Sequence, residues 1–202
     1  MASVVDICNL ALARIGDAAT VSSIDPPEGS VQAEHCARFY PIVRDALLEM
    51  HAWHFARGRL RLAALDVDTW NWSYAYAAPS NALRVLKLLA ETAGSEAEGE
   101  EFERAVGAEG GAPLIYSDLE NATALCTLFV TDSTRFSPLF VDVIGWLLAS
   151  ALAGPVVKGD AGAATALRCY QTGMSLLAKA TSSDANQQHK VLDHTPAWIG
   201  AR

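Results

Sequence analysis

The chain lacks most of the local signatures by which nucleotide-binding and hydrolytic proteins are read from sequence. Neither GxGxxG nor GxxxxGK[ST] occurs, so no glycine loop is predicted to cradle a phosphate. No GxSxG stretch occurs, so no serine nucleophile is predicted at a strand-to-helix elbow. Cysteine is sparse: Cys8, Cys36, Cys126 and Cys169 lie far apart with no CxxC pair, and they read as buried small apolar residues in a reducing compartment. Basic residues are outnumbered, with 15 Lys and Arg against 23 Asp and Glu, which argues against specific reading of nucleic acid. The first six residues carry no base and gain an acid at Asp6, unlike a secretory leader, so synthesis in a cytoplasm is expected.

What is present is enough to fold. With 202 residues, 51% of them hydrophobic and 19% charged, the chain can bury a core without staples. The acid is concentrated centrally: residues 1–57 carry 4 basic and 7 acidic groups, residues 58–132 carry 5 and 12, and residues 133–202 carry 6 and 4.

Helical periodicity occupies the two ends. Residues 3–15 predict a helix capped by Ser3, with Asp6 in capping-box position and Gly16 as the stop. Val4, Cys8, Ala11 and Ile15 share one face with Ile7 and Leu12 beside it, while Asp6, Asn9 and Asp17 point away. After the turn chemistry of residues 22–30, a second helical stretch runs from about Ser30 to His54. Its apolar stripe is Cys36, Phe39, Tyr40, Val43, Leu47 and Met50, and Glu34 and Arg38 make an i,i+4 pair opposite. Pro41 predicts a kink or a break there, with Arg44 and Asp45 beside it fixing how the two pieces meet, an architectural role for all three.

Helical period returns at Ser137-Pro138 and is expected to end at Gly154-Pro155. The stretch from Leu139 to Val157 carries Asp142 as its single charge; it is too short and too interrupted for a membrane span and reads as a core or interface helix. A last helix is predicted over about 160–180, with Ala163, Leu167, Tyr170, Met174 and Leu177 as its buried stripe. From Thr181 the pattern is lost, and residues 186–202 read as a docking tail.

Between the helical ends, β-forming segments alternate with breakers at Arg59–Leu65, Ser73–Ala78, Leu83–Leu89, Leu114–Tyr116 and Ala124–Thr131. The expected fold is therefore α+β. A helical bundle forms from residues 1–57 and 133–185, interrupted by an antiparallel β insert over 58–132. Within the insert, residues 91–111 form an acidic loop whose first part is expected to be a mobile hairpin tip.

Three clusters invite a chemical reading. His51 and His54, at i,i+3 on a helix end, and His35 beside Cys36 offer a zinc site, but no second ligand pair accompanies them, so satisfied or exposed histidines are expected. His189 and His194 in the tail read the same way. The glutamates from Glu96 to Glu103 could supply the carboxylate pair of a glycosidase, yet a Gly/Ala-rich acidic stretch reads as a solvated face. Trp70, Trp72, Tyr74 and Tyr76 alternate, which predicts one aromatic strand face packed on a helical layer rather than a stacking platform for sugars or bases. No catalytic, metal or cofactor residue is assigned, and no cofactor is expected.

Specific strings carry more than composition. Ile7 to Gly16, Tyr40 to Leu48, Trp53-His-Phe55-Ala56, Tyr74 to Pro79, Leu83-Arg-Val-Leu86, Phe136 to Val141 and the terminal Trp198-Ile-Gly-Ala-Arg202 occur in order over nearly the whole chain. In these strings the chain resembles the tail tubular protein A family of short-tailed bacteriophages. It departs from the family at Pro79-Ser-Asn81 and in the acidic loop. The resemblance implies a structural virion adaptor, made in the bacterial host cytoplasm and resident in the neck. Such a subunit forms a ring copying the portal's dodecameric symmetry, with the tail nozzle or other tail proteins below. DNA passes through without sequence-specific binding and no membrane is involved. Trp198, Ile199 and Arg202 are the expected partner-docking residues. Two other functions compete: a polysaccharide hydrolase using the insert's carboxylates, and a cytoplasmic helical regulator forming a closed dimer.

Overall fold

The structure, a computed structural model, describes residues 2–69, 71–90, 99–107 and 111–187. The fold is α+β, with helices at both ends of the chain and antiparallel strands between them. Helix α1 (Val4–Arg14) begins at a complete capping box: the Ser3 hydroxyl accepts from the Asp6 amide while the Asp6 carboxylate accepts from the Ser3 amide. Gly16, at φ +82°, takes the chain out of the helix through a region that side chains disfavour. Helix α2 (Val31–Met50) starts at Ser30, whose hydroxyl accepts from the Ala33 amide.

Of the kink or break expected at Pro41, the break does not occur: α2 runs through it as one helix. A proline forfeits one backbone hydrogen bond and crowds the preceding turn, but buried Cys36, Tyr40, Leu47 and Leu48 on either side hold both halves against the same core. Likewise Gly154-Pro155 does not end α3 (Pro138–Val157), which continues two residues past the proline with Val156 packed on the core. The α3–α4 turn is made at Lys158 and Gly159, both at positive φ, and α4 runs Gly159–Ala185, five residues beyond the expected end.

Helix α3 is the centre of the bundle, with α4, α1 and α2 packed around it. By length and composition it could cross a membrane. Here Phe140, Val143, Ile144, Leu148 and Leu152 instead fill the helical core with Ile7 and Leu12 of α1 and Leu47 and Leu48 of α2. The α3–α4 contact depends on a small residue: a Cβ built at Gly173 would lie 2.8 Å from Leu147 Cδ2. The buried face of α4 is thus Gly162, Cys169, Gly173, Leu177, Ala180 and Asp184. The expected stripe is only partly right, because Leu167 and Tyr170 are exposed, at 59% and 48%. Close helix approach selected the small-residue face over the larger apolar one beside it.

The strands are β1 (Arg57–Arg61), β2 (Ala64–Leu65), β3 (Tyr74–Ala77), β4 (Ala82–Leu89), β5 (Glu103–Val106), β6 (Pro113–Ser117) and β7 (Thr123–Leu128). They form two antiparallel sheets, ordered β1-β7-β4 and β2-β3-β6-β5. The sheets share a core in which Leu60, Val85, Leu88, Ala124 and Cys126 meet Tyr74, Tyr76 and Ile115. Leu83 of the insert and Phe55 beside it pack on the helical core, which ties the two parts together.

Strand β5 lies inside the acidic stretch, where no strand was expected. Glu103 and Arg104 pair with Tyr116 and Ile115 of β6, so an available edge overrides weak β propensity. The mobile tip expected in the first part of that stretch falls on residues 91–98, outside the described residues. The aromatic alternation also resolves differently. Tyr74 and Tyr76 do share a face, but it faces the other sheet and not the helices. Trp72 precedes the strand and packs with Ala75 and Tyr116 on the opposite face, and Trp70 is outside the described residues.

Candidate functional site

Where the helical body meets the insert, the chain turns from α2 into β1 through His51–Ala56. Trp53, fully buried, donates from Nε1 to the Leu47 carbonyl at 2.8 Å and meets Phe140 edge to face at 5.0 Å. Phe55 and Phe136 also pack on Phe140, at 5.0 and 4.7 Å between ring centres. The anchored tryptophan presents the histidines on either side of it to one carboxylate. Asp184 Oδ2 lies 3.1 Å from His51 Nε2 and 2.9 Å from His54 Nδ1, and its oxygens accept from the His54 amide at 3.1 and 3.3 Å.

Asp184 is 3% exposed on the last turn of α4, so this clamp joins both ends of the chain's helical body. Each histidine thus has one ring nitrogen on Asp184, while His54 Nε2 is buried without a partner among the described residues, and the shared carboxylate falls in a polar stretch with no signal to mark it. Nothing in Thr181–Ala185 predicts a buried acid, because helix α4 itself was expected to stop before it. The carboxylate is committed to imidazole and amide donors, and among the described residues no group of three or more His, Cys, Asp or Glu is arranged to hold a metal ion.

A second polar lock was also missed. Arg14, at the end of α1, pairs through Nη2 with the Asp142 carboxylate, donates from Nη1 to the Asp142 carbonyl at 2.9 Å, and lies 4.3 Å over the Trp146 ring. The site exists because residue 145 is glycine: a Cβ there would fall 2.7 Å from Arg14 Nη1. Asn9, expected to point away, instead holds the following loop by a reciprocal pair of bonds with the Val21 backbone, at 2.9 and 2.7 Å.

Pro41, Arg44 and Asp45 lie mid-helix. Arg44 Nε donates to Asp45 Oδ1 at 2.8 Å, and its guanidinium sits 5.8 Å from the centre of the Tyr40 ring. Burial pushes the Tyr40 phenol up to about 12. All four cysteines are free and buried. Cys8 and Cys36 meet across α1 and α2, and their shared hydrogen bond together with burial holds the Cys8 thiol well above the ordinary range. Among the described residues no ion pair closes between Glu34 and Arg38, both of which stand in solvent.

The insert separates charge that the sequence merely averages. Opposed across β1, β7 and β4, Arg57, Arg59, Arg61, Arg84 and Lys87 lie on the outer face of the three-stranded sheet. Arg57, Arg59, Arg61 and Lys87 are themselves engaged in contacts. The outer face of the four-stranded sheet carries two grooves. One, of about 480 Å³, is apolar and lined by Leu65, Val67, Leu114 and Tyr116. The other, of about 270 Å³, is lined by Asn71, Trp72, Glu103 and Tyr116. There Trp72 Nε1 donates to Glu103 Oε2 at 3.1 Å.

Of the glutamates read as a possible carboxylate pair, Glu100 is bridged to Leu88, Glu101 accepts through its carbonyl from Ser117 Oγ, and Glu103 faces Trp72. Glu96 and Glu98 fall outside the described residues, as do His189, His194 and the docking residues Trp198, Ile199 and Arg202. No family model matches the chain, and no curated protein matches it significantly.

Proposed function

We propose that this chain is a structural subunit of a homo-oligomeric ring, a head-to-tail adaptor between the portal and the tail of a short-tailed phage. Its ordered strings resemble that family throughout. In this reading the protein is not an enzyme, needs no cofactor, and lets DNA pass without reading its sequence. The observation that carries the reading is a set of large apolar side chains exposed on the helical body: Val31, Ile42 and Met50 on α2 are 62%, 62% and 52% exposed, and Leu167 and Tyr170 stand out on α4. Exposed apolar side chains clustered on an element are what an association surface supplies. A rigid bundle, locked by Arg14–Asp142 and by Asp184 with its histidines, is also suited to holding such surfaces in fixed orientation.

The test is assembly with portal rings of a short-tailed phage, followed by sedimentation and by electron microscopy of the particle's symmetry. A ring seated on the portal is expected; a chain that stays monomeric beside every such portal contradicts the reading.

One observation favours a second reading, carbohydrate binding by the insert. The groove sets a carboxylate, Glu103, and an amide, Asn71, beside the half-buried Trp72 ring, a combination that can stack on and hydrogen-bond a sugar ring. Retention of the chain on immobilised capsular or cell-wall polysaccharide, lost in Trp72→Ala, would support it over the adaptor.

A further inference from the structure

We infer that the outer face of the four-stranded sheet seats residues 198–202 of the same chain, with Trp198 in the apolar groove and Arg202 at Glu103. The seat belongs to a single subunit and does not rest on the ring reading. The two grooves form one continuous surface, because Tyr116 borders both. The larger, of about 480 Å³, lies within the range of roughly 300–1,000 Å³ that holds bound organic groups. Its open side is made by Leu65 and Val67, 37% and 44% exposed, beside the nearly buried Leu114 and Tyr116. The smaller groove carries Glu103 and Asn71, both exposed. One Glu103 oxygen accepts from Trp72 Nε1, and a carboxylate has further acceptor sites for a second donor. Among the described residues lining the two grooves there is no Lys, Arg or His, so the surface suits a ligand that joins a large apolar group to a cation.

Strand register sets the spacing of that surface. Leu65 pairs with Ala75, Ala75 with Tyr116 and Tyr116 with Glu103, a row that crosses β2, β3, β6 and β5 on one face. Three inter-strand steps of about 4.8 Å put Leu65 and Glu103 about 14 Å apart. An extended segment from residue 198 to residue 202 also spans about 14 Å, and its residues 198, 200 and 202 share one side. Those residues are Trp198, Gly200 and Arg202. Laid across the strands, Trp198 falls at Leu65 and the apolar groove, and Arg202 falls at the Glu103 carboxylate. Gly200 falls over Ala75 and Tyr116, which are 1% and 7% exposed, and it has no side chain to lift the segment off them.

The segment reaches the groove of its own chain. Asp184 is held 2.9 Å from His54 Nδ1, so the path to the tail starts at the foot of the insert. From His54 to Leu65 the chain can extend at most about 40 Å, whereas from Asp184 to Trp198 it can extend about 46–50 Å. Tethering also raises the segment's concentration at the groove to the millimolar range, so modest affinity is enough to seat it. Charge agrees with the placement: Arg202 is the single charged side chain of residues 195–202, and it meets an acid in a lining without a described cation. The adaptor reading gives the same residues to the portal, so on assembly the groove and the portal compete for them.

Hydrogen exchange of the full chain, read by mass spectrometry, tests the seat. Amides of residues 198–202 are expected to exchange about tenfold more slowly than in a free peptide of residues 195–202, at any protein concentration. Trp198→Ala is expected to abolish the slowing. Glu103→Arg and Arg202→Glu should each reduce it severalfold, and the two together in one chain should recover most of it, each chain being compared with a free peptide of its own sequence. Unchanged helical circular dichroism checks that the variants fold. Exchange at the free-peptide rate in the wild-type chain overturns the seat, as does slowing that Glu103→Arg leaves untouched. Slowing that appears only as concentration rises assigns the segment to another copy, and slowing that appears only on portal rings assigns it to the portal. Either of these removes the seat and leaves the ring reading to its own assembly test.

Discussion

At the scale of single residues, the groups that hold the molecule together are polar ones with buried partners. Replacing Asp184 by Ala strands two imidazoles and the His54 amide. Leaving buried donors unsatisfied costs about 1–3 kcal/mol, so Asp184→Ala is expected to lower unfolding free energy by that amount in urea titration. An unchanged midpoint would mean that the clamp contributes nothing net. Acid sensitivity has a different residue-level origin. The Ser3 amide and hydroxyl hold Asp6 below the usual carboxylate range. The Ser22 hydroxyl and amide, with the Ser30 hydroxyl, do the same to Glu28, and the Thr134 hydroxyl and amide to Asp132. A carboxyl group whose folded value lies below its unfolded one stabilises the fold above the unfolded value, and that contribution disappears as pH falls through the folded value. Stability is therefore expected to drop as pH is lowered from about 5 toward 3, and the drop should shrink when Asp6, Glu28 and Asp132 are replaced by Asn or Gln. An identical pH profile in the triple variant would place the acid sensitivity elsewhere.

At the scale of elements, the contacts that set helix positions are made by small residues admitting large ones. Gly145 leaves the space in which Arg14 reaches Asp142. Gly145→Ala should therefore lower thermal stability in the wild-type chain and lower it less, or raise it, in an Arg14→Ala background, where only the Leu10 side chain, 3.2 Å from such a Cβ, must still give way against the roughly 0.5–1 kcal/mol by which Ala exceeds Gly. Additive effects of the two substitutions would show that residue 145 and Arg14 do not interact. The opposite case is Pro41, which α2 tolerates because burial on both sides holds it. A proline interior to a helix costs about 3 kcal/mol in an unconstrained setting. Pro41→Ala is expected to leave the melting temperature unchanged or raise it; a clear fall would mean that the proline fixes a bend on which the packing depends. The Arg44–Asp45 pair is partly exposed and worth under about 1 kcal/mol, so Asp45→Ala should produce only a small fall in stability.

At the scale of the whole molecule, the last described helix, α4, ends at Ala185, with Asp184 clamped to His51 and His54 just before it. In the adaptor reading, the residues beyond 187 serve attachment rather than folding. Deleting 188–202, with Trp198, Ile199 and Arg202, is expected to leave helical circular dichroism nearly unchanged while weakening retention on portal rings. Equal retention by the truncated chain would remove the docking role. A chain that fails to fold without those residues would assign them to its own core.

The starts of α1, α2 and α3 were legible because a cap is local chemistry: Ser3 with Asp6, Ser30 and Ser137 each satisfy an amide within a few residues. So was the order of helices, strands and helices, because apolar period is a property of ten or so consecutive residues. Three matters were decided only by tertiary structure. Which stripe of α4 is buried depended on how closely α3 could approach, and Gly162 and Gly173 outcompeted Leu167 and Tyr170 because the absence of side chains brings backbones together. Strand β5 formed in an acidic stretch because β6 presented an edge to it. The pairing of Asp184 with two histidines more than a hundred residues away required the chain's two ends to meet. Each is a long-range contact whose free energy exceeds a local preference, and a local reading of the chain has no access to that comparison.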